Sequence, residues 1–297
     1  MKDQDSIPSG TRGAAKKIII TGDDFGLALP VNEAIVEAHR TGVLTTASLM
    51  VGEPYFQDAV ARARQNPSLR VGLHLALVEG RPLSDPREIP DLVDSDGSFS
   101  TRLARAGFRF FFRPGVRRQL ETEIRAQFGA FQRTGLALDH VNAHNHMHLH
   151  PTVLGLMIHV GKDFGLRAVR FPCEPPIRSW KASRKALGPK LVSSAFLFPW
   201  MRLMKHRLRR SRIRHNDWFF GMADSGSMTL DLVLRIVSNL PEGVTELGFH
   251  PATGRCPEID STMPRYRHED EYRALISQSL RRAAEAWNVH RIAFSDL

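Results

Sequence analysis

Seven short runs of apolar and β-branched residues recur along the chain, at 16–21, 44–51, 69–77, 138–143, 168–171, 245–250 and 291–295. Most are followed by a stretch with helical spacing, at 31–41, 54–65, 116–133, 152–164, 227–240 and 269–287. Strands that alternate with helices run parallel, because each crossover helix returns the chain to the same end of the sheet. Seven such units within 297 residues predict one α/β domain spanning 16–297. Its predicted form is an irregular (β/α) barrel, TIM-barrel-like, with about seven parallel strands. Residues 1–15 carry acids and no apolar run, so they read as a disordered leader and not a signal peptide.

Composition removes several classes. A chain 42% hydrophobic and 24% charged is neither disordered nor collagenous. The two cysteines, Cys173 and Cys256, have no CxxC spacing, which excludes a disulfide scaffold and favours a reducing, cytoplasmic compartment. No apolar run reaches the ~18 residues that a membrane span needs.

The positive charge is concentrated. Of 41 basic residues, 12 fall between Arg178 and Arg214 with no acid among them, leaving 29 against 31 acids elsewhere. Within this stretch Leu197, Trp200, Met201, Met204 and Leu208 recur at helical spacing. Residues 176–216 thus predict a basic amphipathic insertion, suited to an anionic membrane surface or to packing on its own domain. A second basic run places Arg105, Arg109, Arg113 and Arg117 four apart, with Phe108 and Phe110 to Phe112 between them. No nucleic-acid motif accompanies either run, so no nucleic-acid partner is expected.

Polar residues gather where the strands end. In order they are Asp23 and Asp24; His74; Asn142, His144, His146, His148 and His150; Arg170; and His250. In a parallel barrel those ends form the catalytic face. Two adjacent aspartates let one carboxylate bind a metal while the other addresses a water. His74 lies in an apolar strand and must have a partner. In extended backbone the histidines from 144 to 150 would share one face and gather several imidazoles. His250 could supply the acid that a leaving amine requires.

The blocks TGDDFG, VGLHL, HVNAHNHMHLHP and GFHPA, in that order, resemble the YdjC/ChbG-type carbohydrate deacetylases, which remove N-acetyl groups from sugars. The resemblance covers nearly the whole chain after residue 15. It implies an irregular (β/α) barrel with one divalent metal (Zn, Ni, Co, Mn or Mg) held by Asp24, His74 and His144. It further implies Asp23 as general base, His250 as general acid, an arginine at the Arg170 position and a homodimer; Arg170, with His146 and His148 from the histidine run, is expected against the substrate. The family commonly has Asp-Ser-His-His-His-Val-His before the proline, where this chain has Asn142-Ala143-His144-Asn145-His146-Met147-His148. The segments GLALP, EGRPL and FRFFFRP look similar to the hopanoid-biosynthesis-associated (HpnK) branch. That branch implies a lipid-linked N-acetylglucosamine and contact with the inner face of a membrane. Two rival classes remain: another barrel metal hydrolase (a phosphoesterase or cyclic amidohydrolase), and a basic membrane- or nucleic-acid-binding protein with a degenerate site.

Overall fold

The computed structural model of the protein describes residues 16–297, so the leader expected at 1–15 lies outside the described residues. The strands are β1 (Lys16–Phe25), β2 (Thr46–Leu49), β3 (Arg70–Leu75), β4 (Leu138–Ala143), β5 (Trp218–Phe220), β6 (Val244–Phe249) and β7 (Val289–Arg291). Every pairing is parallel, in the order β4-β3-β2-β1-β6-β5, with β7 beside the start of β1. The sheet curls into a half-barrel. Between β4 and β5 the ladder is reduced to the single bridges Val141–Val169 and Ala168–Arg214. Ile18, Ile19 and Ile20 are all buried, and so is the whole of β2. Burial on both faces is what a parallel sheet under crossover helices demands, and it explains why these strands read as unbroken apolar runs.

The predicted barrel class is therefore found, with local differences. Residues 168–171 were expected to form a full strand but make only those bridges. Pro172, Pro175 and Pro176 follow at once, and proline has no N–H to extend a ladder. The helix expected at 269–287 is two helices, His268–Ile276 and Gln278–Ala286. Ser277 adopts extended backbone between them and caps the second by accepting from the Ser279 N–H. The arginine ladder is broken at Arg113, an extended residue between the helices Leu103–Phe112 and Pro114–Arg133. Its first member, Arg105, has a side chain outside the described residues. The insertion folds as two helices, Pro176–Ser183 and Leu187–Arg210.

One close approach sets the spacing of β3 and β4. A Cβ on Gly72 would collide with the His140 ring and lie 2.6 Å from the His140 carbonyl oxygen. That ring cannot retreat. It is buried, held by Asp139 at 3.0 Å and Ser48 at 3.1 Å, and stacked on Phe294. Gly72→Ala is expected to cost about 3 kcal/mol, the upper range for overpacking, read as a lower midpoint in urea unfolding.

Candidate functional site at the strand ends

The C-terminal ends of β1, β3, β4 and β6 converge on one cavity of about 250 Å³. Asp23, His74, His144, His146, Arg170 and His250 all line it. β1 delivers two carboxylates because it is not regular to its end. Asp24 is left-handed (φ 63°), and the register with β2 shifts between Gly22 and Phe25. In plain extended backbone neighbouring side chains would leave on opposite faces. The bulge instead brings both aspartates to the same site with different partners. Holding an aspartate at positive φ costs on the order of 1 kcal/mol, the kind of strain that persists where the surroundings fix it.

Asp24 is the hub. Its Oδ1 lies 3.3 Å from His74 Nε2 and 3.2 Å from His144 Nδ1. One ligand atom from each of the three residues lies within 4.8 Å of the others, all three residues are buried, and among the described residues this is the one such group. Asp24 Oδ2 and His74 Nε2 are buried with no hydrogen-bond partner. Although His74 Nε2 is close to Asp24 Oδ1, the contact lacks hydrogen-bonding geometry. Buried ligand atoms without hydrogen-bond partners, gathered around one point, fit a bound cation. One oxygen and two imidazole nitrogens suit Zn²⁺, Ni²⁺, Co²⁺ or Mn²⁺ better than Mg²⁺. The residues therefore fit a divalent metal, with coordination positions left open.

The surroundings orient the histidines. Asn142, opposite His74 in the β3–β4 register, has Oδ1 2.6 Å from His74 Nδ1. With the proton on Nδ1, that bond frees the Nε2 lone pair toward Asp24. The reversed amide satisfies Arg170 and Ser48 better and donates to Nδ1 instead. The first orientation belongs to a ligating His74, the second to a His74 that keeps its proton on Nε2. Glu79 contacts His144 Nε2 at 3.3 Å and accepts from Asn145 Nδ2 at 2.9 Å. Burial pulls the His144 pKa down, but the Asp24 and Glu79 carboxylates outweigh it and push it up to about 10. Without a metal, the proton on His144 supplies the positive charge that these carboxylates demand.

Asp23 is held by Arg170, which donates from Nη1 at 2.6 Å and Nη2 at 2.9 Å, a two-pronged pair. Burial alone would raise the Asp23 pKa, yet Arg170 and then His74 hold it far below the usual carboxylate range. Asp23 is thus ionised at any working pH, the form a base requires. Arg170 is itself fully buried, with Nε donating to Glu246 Oε1 at 2.8 Å. Its side-chain hydrogen bonds run to the two carboxylates, and it also lines the cavity beside Asp23. His250 follows β6, and burial lowers its pKa against the pull of Asp24 and Asp23. Its Nδ1 is buried and unpartnered, and its ring meets Tyr266 edge-on at 5.2 Å.

The histidine run departs from the expectation. Residues His144–Leu149 form a 3₁₀ segment with Asn145 and His146 left-handed, so the imidazoles do not share an extended face. His144 turns to Asp24. His146 lines the cavity as a neutral ring, its pKa lowered to about 3 by burial and then by Arg170. His148 is buried outside the cavity wall, with Nδ1 accepting from the Ala143 N–H at 3.1 Å. His150 caps the helix Pro151–Gly161 through the Thr152 N–H. Glu79, Glu246 and Tyr266 were missed by sequence reasoning. Of these, Glu246 carried a signal, an acid inside the apolar run of β6.

A parallel α/β half-barrel with a buried Asp–His–His group at its strand ends defines the class. Residues 17–286 match the family described as YdjC-like protein, and the chain belongs to that family. A carbohydrate deacetylase of Brevibacillus brevis is 29% identical over 282 residues, covering 95% of this chain and 99% of the relative. One from Geobacillus stearothermophilus is 31% identical over 236 residues, covering 79% and 78% respectively. Among solved structures, an Enterococcus faecalis protein assigned to cellobiose-phosphate cleavage superposes with a TM-score of 0.75 at 23% identity, covering 95% of this chain and 99% of that one. A lactam utilization protein from Thermus thermophilus superposes with a TM-score of 0.50 at 14% identity, over 93% of this chain and 99% of that one. These two likenesses speak to the fold.

Proposed function

We propose that the protein is a metal-dependent hydrolase that removes the N-acetyl group from an amino sugar. The observation that carries this reading is the buried Asp24–His74–His144 group beside an ionised Asp23. The carbohydrate deacetylases among its relatives support the same reaction. The cavity lies just below the ~300–1,000 Å³ of drug-sized pockets, which suits one sugar ring with its substituent. A divalent cation bound by Asp24, His74 and His144 would polarise the acetamide carbonyl and acidify a water.

The chain's own groups do the rest. Arg170 keeps Asp23 ionised and fixed, and Asp23 takes the proton of the attacking water. His250, which lines the same cavity and rests neutral because burial lowers its pKa, takes up the proton that Asp23 received and passes it to the departing amine. His146 presents a neutral ring to the sugar. The products are acetate and a free amino sugar. The finer reading is a substrate with a lipid aglycone, of the hopanoid-linked kind, met at the inner face of a membrane.

Two measurements test the reading. Metal-loaded protein is incubated with chitobiose and with N-acetylglucosaminyl lipids, and mass spectrometry follows loss of one acetyl unit. Failure on every acetylated sugar would remove the assignment. Separately, the chelated protein is titrated with Zn²⁺. A cation at a hundred times its Kd stabilises the fold by about 2.7 kcal/mol, seen as a rise in melting temperature. Because a cation displaces the His144 proton, binding should also acidify a weakly buffered solution.

A further inference from the structure

Two helices that reach the cavity or the groove beside it carry exposed aromatic residues. In the helix Leu103–Phe112, Phe108 is 66% exposed, and Phe111 and Phe112 lie in the open beside it with centroids 4.8 Å apart. The first residue of that helix, Leu103, lines the catalytic cavity. In the helix Leu187–Arg210, the buried residues Met201, Met204 and Leu208 lie in the second half, while the first half is tied down through Leu197 and the Lys190–Asp224 pair and leaves its other apolar residues outward. There Val192 is 70% exposed and Phe196 72%, with Phe198 and Leu191 also outward. A groove of about 340 Å³ under this half shares Met222 with the catalytic cavity. Both helices also meet at the start of the helix Pro151–Gly161. Phe110 and Phe111 lie edge-on to His150, and Arg207 donates to the Pro151 carbonyl.

Exposed rings of this size normally seek cover. The charge around them limits what the cover can be. Arg102, Arg117 and Arg118 flank the first cluster, and Lys181, Arg184, Lys185, Arg202, Arg209 and Arg210 follow or precede the second, all of them exposed, whereas Arg113 pairs with Asp91 at 3.9 Å. No acid lies between Arg178 and Arg214. A second copy of the chain would set like charges against each other. Apolar rings amid unneutralised cations match an anionic bilayer, whose headgroups take the arginines and whose acyl boundary takes the rings.

We infer that these two aromatic clusters are the docking face by which the protein seats the mouth of its cavity on an anionic lipid surface. The purpose, access to a lipid-linked sugar, rests on the function proposed above. The docking itself does not. It is read by sedimenting the full chain with phosphatidylcholine vesicles, with and without phosphatidylglycerol. Binding is expected only when phosphatidylglycerol is present, and it should weaken with salt. Phe196→Ser with Phe198→Ser, and separately Phe108→Ser with Phe112→Ser, should each weaken partitioning about tenfold. Deacetylation of chitobiose and the melting temperature should stay unchanged.

Three results would overturn it: no sedimentation with anionic vesicles, equal binding by the serine variants, or a dimer in solution that the same substitutions dissociate. If vesicles bind as expected and no acetylated sugar is hydrolysed, the docking face stands and the deacetylase reading falls.

Discussion

Asp23→Asn is expected to bind one divalent cation per chain, as the parent does, and to lose about a hundred- to ten-thousand-fold in turnover, the usual contribution of a positioned base. Asp24→Ala is expected to lose both the cation and turnover. The two residues are neighbours, but their partners separate them. Asp24 faces His74 and His144 and leaves Oδ2 without a partner. Asp23 spends both oxygens on Arg170. An asparagine keeps the size of that group and can still accept one guanidinium bond, but it cannot take a proton. Elemental analysis of each variant and single-turnover acetate release give the two readings independently. If Asp23→Asn loses its metal while Asp24→Ala retains it, the roles are reversed.

The residues that the sequence made conspicuous were those whose surroundings were also visible in it. An apolar strand ending in a carboxylate or an imidazole announces itself, and β1, β3 and β6 lie where such runs predict. What escaped depends on contacts between distant segments. Glu246 is buried because Arg170, 76 positions earlier, needs a second carboxylate. Glu79 matters only because the left-handed turn at Asn145 and His146 swings His144 within its reach. Alternating histidines suggest a strand, but the left-handed pair Asn145 and His146 sends His144 to Asp24 and His146 into the cavity, while His148 turns back to the Ala143 N–H. The strand β5 was hidden at the end of a basic insertion whose composition spoke only of helix. The Asp23–Arg170 pair had both members legible and their connection illegible.

That pair carries the second large effect. Arg170→Met is expected to destabilise the fold by about 3–5 kcal/mol, the cost of breaking a buried ion pair from one side. The guanidinium is buried between Asp23 and Glu246 and lies 5.0 Å from the centroid of the Phe219 ring. Methionine fills much of that length and can lie on the ring, so the loss is one of charge rather than volume. Two carboxylates are then stranded in the core. Glu246→Leu in the Arg170→Met background should recover part of the stability, since it removes one stranded charge.

The turnover readout separates positioning from mere stability. Without Arg170, burial dominates Asp23 and its pKa rises above that of the unfolded chain. A raised carboxyl pKa makes the native state bind the extra proton, so the variant's deficit grows as pH rises above about 4 and is smallest below it. Activity follows the opposite course. Asp23 accepts a proton only when ionised, so the acid limb of kcat should move to higher pH in Arg170→Met. If thermal melting shows the loss while the pH profile of kcat stays with the parent, Arg170 holds the fold and does not tune the base.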